Sequence, residues 1–345
     1  MAMAHTKRGI DAAHEDGLWT CVWTKRGEIV TGGVDELACI WDAQTLEQKH
    51  VLKGNLMGVV SVAADATGET LATSSIDNKV RIWGAEAGRL KGTIHAGPVE
   101  AWTVDFSNDG ASVISGAQRG VVNTWDVETC AKASEFDAFG KDNGFVMSLA
   151  HSPTDAHLVA AASVKGRVGI FDSRQKEAST GDFGGHDGGD PIRSLSWTPD
   201  GVVLLTACDD GQVKAYDAKK PGEAFFTFYA HPTWVLSVRA SPDNVHFATA
   251  SADRCVKIWN LNTKSRVSWV NRLHTDQIWE VAYSPDGSEL CSVADDCHVK
   301  FYSVAQHQEE LAAEQLILKE RTDAEEAARA RAAEEAAALE AREAA

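Results

Sequence analysis

The architecture can be read from His231 to Asn260, HPTWVLSVRASPDNVHFATASADRCVKIWN. It holds a loop histidine, a Ser241-Pro242-Asp243 turn, a β-branched run Val256-Lys257-Ile258, and Asp253 six residues before the aromatic Trp259. Short alternating β-branched runs bounded by turn formers read as strands. The aromatic-terminated run recurs as Ile40-Trp41-Asp42, Ile82-Trp83-Gly84, Thr124-Trp125-Asp126, Ile170-Phe171-Asp172, Ala215-Tyr216-Asp217 and Phe301-Tyr302-Ser303. Successive aromatics lie 42, 42, 46, 45, 43 and 43 residues apart. A period of this size is that of a four-stranded unit, which buries its faces only by stacking on its neighbours. Asp35, Asp77, Asp210 and Asp296 keep the six-residue interval, and turns such as Ser152-Pro153, Thr198-Pro199-Asp200-Gly201 and Ser284-Pro285-Asp286-Gly287 punctuate the units.

Composition narrows the class. The 345 residues carry 50 Asp and Glu against 33 Lys and Arg, a formal charge of −17, which argues against direct nucleic-acid binding through a basic face. Hydrophobic residues make up 44% of the chain, enough for a sizeable core. Seven cysteines are odd in number, scattered and without a C-x-x-C pair, so neither a disulfide framework nor a thiolate zinc site is expected. Met1 to Ile10 lacks the apolar core of a secretory signal. No apolar run approaches the roughly 18 residues that span a bilayer. The expectation is a soluble protein of a reducing compartment, with no membrane partner, cofactor or metal.

Residues 14 to 304 resemble the WD-repeat family, with seven imperfect Trp-Asp-type units in register. The resemblance implies an all-β fold, a seven-bladed β-propeller over residues 1–304. Residues near 4 to 12 would supply the outermost strand of the last blade and close the ring. That segment is poor in β-branched residues.

His14, Thr31, Asp35 and Trp41 look like a hydrolase constellation. The set recurs as His186, Thr206, Asp210 and Tyr216, as His231, Thr249, Asp253 and Trp259, and as His274, Ser292, Asp296 and Tyr302. A nucleophile, base and acid need one unusual geometry in one place. Four copies at blade spacing argue for a structural hydrogen-bond network, and no enzyme is expected. Asn55 replaces the histidine in the second unit, Gly97 and Arg119 break the third, and Asp142, Ala161 and Lys165 break the fourth. These blades are expected to rest on packing or on a partner. Gly181 to Asp190 is glycine-rich but lacks the Lys-Ser/Thr end of a phosphate loop, so it reads as a long connection. Cys291, Cys297 and His298 read as strand residues without a fourth ligand.

In the family, the residue about five after the loop histidine rims the channel on the top face. Across the seven units it is Trp19, Val60, Trp102, Met147, Arg193, Leu236 and Trp279, with Phe145 and Trp234 two residues before it in their blades. Trp, Met and Arg are enriched in interface cores, where Lys and Glu are depleted. The set is therefore expected to bind a protein partner rather than a small-molecule substrate, with Arg193 reading a carboxylate or carbonyl.

The runs Ala96-Gly97-Pro98-Val99-Glu100-Ala101-Trp102-Thr103, Pro191-Ile192-Arg193-Ser194-Leu195, Thr206-Ala207-Cys208-Asp209-Asp210-Gly211 and His231-Pro232-Thr233-Trp234-Val235-Leu236 are similar to one subgroup. It comprises the WD-repeat subunits of the superkiller complex, which in animals also belong to the polymerase-associated factor complex. The resemblance implies a scaffold docked on a tetratricopeptide-repeat protein and coupled to a helicase. Its roles would be exosome-mediated 3′-to-5′ mRNA decay in the cytoplasm and transcription elongation in the nucleus. Beyond Val304 the composition changes: residues 309–345 hold eleven acidic and five basic side chains, the rest mostly Ala. The reading is a charged helical tail over 305–345, Ala being the strongest helix former. Such a tail would also suit a structural subunit of a large assembly such as the ciliary axoneme.

Overall fold

The computed structural model describes residues 6–97, 101–140, 144–174, 179–271 and 273–304. The tail over 305–345, the Pro98-Val99-Glu100 part of the subgroup run, and Asp142 lie outside the described residues. Those up to Ser303 belong to one compact unit, Met3–Ser303.

Seven four-stranded antiparallel sheets follow one another around a ring, an all-β seven-bladed propeller. Blade 1 runs from the inside outward through Leu18–Trp23, Glu28–Gly33, Ala38–Asp42 and Gln48–Leu52. Blades 2 to 6 repeat this meander over 59–95, 104–137, 146–182, 192–229 and 235–271. The second strand of each blade has neighbours on both faces, so it carries a continuous buried run instead of an alternation. Leu158–Ser163 (LVAAAS) and His246–Ser251 (HFATAS) show the consequence, small residues where two sheets approach. At Gly32 an added Cβ would stand 2.6 Å from Val59 Cγ1 and 2.8 Å from Thr20 Cγ2, so only glycine fits between blades 1 and 2.

The core is divided into seams between neighbouring blades. Val30, Ile40 and Leu52 of blade 1 pack on Val59, Leu71 and Trp83 of blade 2. Leu205 and Phe228 of blade 5 pack on Val238, Phe247 and Trp259 of blade 6. Trp41, Trp83, Trp125, Phe171, Tyr216 and Trp259 of the sequence period each fill a seam in this way, which is why the period is an aromatic one.

Blade 7 is completed from both ends of the propeller. Ile278–Tyr283, Glu289–Ala294 and Val299–Ser303 supply three strands, and Thr6–Ile10 pairs antiparallel with the last of them, Ile10 opposite Val299. A register shift between Thr6 and Arg8 interrupts the pairing. With few β-branched residues to hold it, this strand is fixed by side chains instead. Arg8 pairs with Glu289 and lies 5.2 Å over the Phe301 ring, Lys300 reaches Asp11 at 2.9 Å, and Ile10 is buried.

Candidate functional site

The four recurring polar sets close as hydrogen-bond chains. In blade 1, His14 Nδ1 meets Asp35 Oδ1 at 2.9 Å and Nε2 meets Thr31 Oγ1 at 2.8 Å, while Trp41 Nε1 donates to the same Oγ1 at 2.9 Å. Blade 6 repeats this: His231 lies 2.8 Å from both Asp253 and Thr249, and Trp259 donates to Thr249 at 3.1 Å. In blade 7 the Tyr302 hydroxyl stands in for the indole, 2.6 Å from Ser292 Oγ, and His274 joins Ser292 to Asp296. Blade 5 differs at one member. His186 bridges Asp210 at 2.7 Å and Thr206 at 2.9 Å, but the Tyr216 hydroxyl donates to the Gly185 carbonyl at 3.0 Å. The carbonyl it reaches directly precedes the histidine, so Tyr216 ties down the start of the loop. The hydroxyls of Thr31, Thr206, Thr249 and Ser292 belong to residues with 0% exposure, out of reach of any substrate.

Blade 2 corrects the expectation that a unit without the histidine rests on packing or a partner. Arg81 fills the gap: its guanidinium donates to Asn55 Oδ1 at 2.9 Å and to both Asp77 oxygens at 3.2 and 2.6 Å. Asn55 in turn donates to the Glu36 carbonyl at 3.2 Å, and Trp83 keeps its bond to Thr73 at 3.0 Å. In blade 3 Trp125 donates to Ser115 at 2.9 Å. Cys297 and His298 also depart from expectation. They lie in the turn between Glu289–Ala294 and Val299–Ser303 rather than on a strand, and His298 Nδ1 accepts the Ala12 N–H at 3.0 Å.

These networks make stability depend on pH. Burial alone would raise the carboxyls of Asp35, Asp210, Asp253 and Asp296, but the histidine hydrogen bond and backbone N–H donors outweigh it, and all four are lowered. His231 is lowered by burial, with Asp253 opposing. Each group holds fewer protons folded than unfolded, so its contribution is present at neutral pH and lost on acidification. The loss begins as pH falls below about 6.5 through His231 and steepens below about 4 through the aspartates. The slope of unfolding free energy against pH should give uptake of at least about two protons per molecule on unfolding below pH 4. A flat profile from pH 7 to 3 would remove this account.

Around the channel, the seven counted positions share one cavity of about 830 Å³. Trp19, Val60, Trp102, Met147, Arg193, Leu236 and Trp279 all line it. Trp19 and Trp279 meet edge to face at 6.3 Å, and Trp102 meets Phe145 likewise at 5.5 Å, so Phe145 backs the rim without lining the channel. Trp234 also lies off the lining, 50% exposed, with the Arg193 guanidinium 5.8 Å over its ring. Two residues differ from expectation. Leu236 is buried, and Arg193 is already engaged by Asp209 through contacts of 2.9 and 2.7 Å, which leaves its fork facing its own chain. Trp279 likewise donates its N–H to Asp295 at 2.8 Å. Trp279 therefore presents its ring to the channel, with its N–H spent on its own chain.

Sequence reasoning missed three residues beside the mouth. Leu56, Met57 and Ile76 are 65%, 49% and 37% exposed. Their loops are pinned together: Ser75 Oγ donates to the Met57 carbonyl at 2.8 Å, Ile76 N to Gly58 O at 3.1 Å, and Leu56 N to Asp77 at 3.0 Å. A Cβ at Gly58 would stand 3.1 Å from Trp19 Cζ3, so this loop lies against the indole. The available signal was Leu56-Met57 directly after Asn55, two large apolar residues in a loop.

Comparison with known proteins matches the model of the WD domain, G-beta repeat, to residues 7–42, 46–84, 177–217, 222–260 and 268–303. WD repeat-containing protein SL1-17 of Schistosoma mansoni is 35% identical over 214 residues, 60% of this chain and 68% of that protein. WD repeat-containing protein VIP3 of Arabidopsis thaliana is 32% identical over 250 residues, 68% of this chain and 77% of that protein. A guanine nucleotide-binding protein subunit beta of Arabidopsis thaliana is 24% identical over 218 residues, 60% of this chain and 57% of that protein. WD-repeat propellers generally bind proteins and are typically non-catalytic scaffolds. With seven four-stranded blades and five segments matching the repeat, the chain belongs to the WD-repeat family.

Proposed function

We propose that this protein is a scaffold that docks a protein partner on the top face of its propeller, as a superkiller-type subunit in 3′-to-5′ mRNA decay. One observation carries the docking site: Trp19, Trp102, Met147 and Trp279 gather at one channel mouth, and Leu56, Met57 and Ile76 stand exposed beside Trp19. Aromatic and Met side chains in such a cluster are the usual anchors of a protein interface. The subunit assignment draws on the sequence runs shared with that subgroup. Its partner would be a tetratricopeptide-repeat protein that couples a helicase to the exosome, and in the nucleus the same face would serve transcription elongation. The sites of action would be cytoplasm and nucleus.

The test is affinity purification from native extract, comparing wild type with Trp19→Ala/Trp102→Ala/Trp279→Ala and, separately, with Leu56→Glu/Met57→Glu. The second pair is exposed and leaves the seams untouched, so it reports binding even if the first set loosens the fold. Truncating interface anchors costs about 2 kcal/mol or more each, so recovery of a helicase and a tetratricopeptide protein should fall at least about thirtyfold. Undiminished recovery by both variants would place the interface elsewhere. Axonemal proteins alone in the wild-type eluate would overturn the mRNA-decay assignment and leave the scaffold.

A further inference from the structure

Blade 5 differs from its sister blades beside the histidine network. Two residues before the network aspartate, blades 1, 6 and 7 carry Gly33, Ser251 and Ala294, and blade 5 carries Cys208. His186, Cys208 and Asp210 offer a nitrogen, a sulfur and an oxygen that all lie within 4.8 Å of one another. We propose that these three side chains form a site for a thiophilic divalent cation of the Zn²⁺ class, held by His186 Nδ1, Cys208 Sγ and one Asp210 oxygen.

Ligand type favours this class. Imidazole, thiolate and carboxylate together suit Zn²⁺ and its first-row neighbours, whereas Ca²⁺ and Mg²⁺ take oxygen ligands. Charge favours it too. A thiolate and a carboxylate neutralise a divalent ion, and Cys208 and His186 are only 0% and 4% exposed, where a net charge would be costly. The surrounding bonds are those a metal site needs. His186 Nε2 lies 2.9 Å from Thr206 Oγ1, and Asp210 Oδ1 accepts the Gln212 N–H at 2.8 Å, which leaves Oδ2 for the ion. The Asp190 carbonyl, 3.5 Å from Cys208 Sγ, or a water can complete the shell.

A cavity of about 370 Å³ opens on the His186 side of the site, lined also by Lys165, Gly166, Arg167, Gly184, Asp187 and Gly189, while Cys208 and Asp210 lie behind His186, off its wall. Gly184, Gly185 and Gly189 have φ of 66°, 63° and 69°, a left-handed backbone that glycine adopts without strain. Tetrahedral bonds of about 2.0 to 2.3 Å set ligand atoms roughly 3.3 to 3.6 Å apart. His186 and Asp210, now at 2.7 Å, would therefore part slightly, with the sulfur already within 4.8 Å of both.

Protons balance simply. Without metal, His186 Nδ1–H donates to Asp210 and Nε2 accepts from Thr206. On binding, the imidazole proton moves from Nδ1 to Nε2 and is donated to Thr206, whose hydroxyl turns to the Lys214 carbonyl, 3.5 Å away. The Cys208 thiol loses its proton to solvent, so one proton is released per ion.

The experiment uses the full chain, reduced and freed of metal by chelation, titrated with Co²⁺ and then Zn²⁺. A thiolate-to-cobalt charge-transfer band should saturate at one Co²⁺ per chain and vanish on adding Zn²⁺, with one proton released per metal. Zn²⁺ in excess should raise Tm by at least about 3 °C. Cys208→Ser installs the residue that blade 6 uses, so the fold is kept. It should abolish the band and the Tm rise, whereas Cys255→Ser should leave both. No band in the wild type, or a band that survives in Cys208→Ser, would overturn the site.

Discussion

Arg81→Ala should destabilise the protein by about 3–5 kcal/mol, the cost of removing one partner from a buried ion pair. The Arg81 and Asp77 side chains are 4% and 5% exposed, so the guanidinium cannot be replaced by bulk water. Without it Asp77 keeps the Leu56 and Lys79 N–H groups, at 3.0 and 3.1 Å, and Asn55 Oδ1 loses its 2.9 Å donor. Burial by itself would raise Asp77, but Arg81 and the backbone donors outweigh it and the carboxyl is lowered. Its stabilising contribution is thus present above about pH 4 and lost as pH falls through the lowered value. In Arg81→Ala that contribution should shrink, flattening the acid limb. Urea unfolding at pH 7 and pH 4 measures both effects. The companion variant Asn55→His/Arg81→Lys rebuilds the arrangement of blade 6, where His231 faces Asp253 and Lys257 Nζ reaches the Ala230 carbonyl at 2.6 Å. It should come within about 1 kcal/mol of wild type, because the same buried carboxylate is again paired. A loss under about 1 kcal/mol for Arg81→Ala would mean that packing alone holds blade 2.

The contrast between Arg81 and its counterparts shows what the sequence could tell. The ring of blades was legible because every unit carries one large aromatic and five of the seven carry a turn aspartate six residues before it, so Trp41, Asp35 and their repeats sit at fixed intervals. The channel positions were legible through the resemblance: in the family the residue about five after the loop histidine rims the channel, and that count reaches Trp19 and Trp279. What escaped were matters of reach. An arginine two residues before the aromatic stands where blades 5, 6 and 7 have Lys214, Lys257 and Lys300. Only the folded turn shows that the guanidinium extends into the space left by a histidine. Asp209 was read as part of a shared run, yet its carboxylate occupies Arg193. Tyr216 occupied the aromatic position, but its hydroxyl reaches the Gly185 carbonyl beside the histidine. His186 and Cys208 are separated by 22 positions, so no spacing rule for metal ligands could pair them.

The second large effect belongs to Glu280, where the ring closes. In four blades the hydroxyl of the residue after the channel position laces one inner strand to the next. Thr20 accepts the Val62 N–H at 3.2 Å, Ser61 that of Val104 at 3.2 Å, Ser148 that of Leu195 at 3.0 Å, and Ser194 that of Val238 at 3.3 Å. In blade 3 Asp105, two positions further on, accepts the His151 N–H at 2.8 Å. Blade 6 breaks the series, since Ser237 Oγ is buried without a partner. Glu280 of blade 7 spans the break. One carboxylate oxygen accepts the Cys21 N–H of blade 1 at 2.9 Å, and the other pairs with Arg239 of blade 6. Arg239 in turn donates to Ser194 of blade 5 at 3.0 Å, so one ion pair links four consecutive blades. Glu280→Ala leaves an unsatisfied N–H and a half-buried, unpaired guanidinium, and should cost about 2–4 kcal/mol. Arg239 is 35% exposed and can recover some water, which keeps the figure below that for Arg81. Glu280→Gln still accepts from Cys21 and should lose about half as much. Adding Arg239→Ala to Glu280→Ala should restore part of the loss, because the stranded charge is gone. Strictly additive losses in that double variant would show that the two side chains act separately and that the seam closes without them.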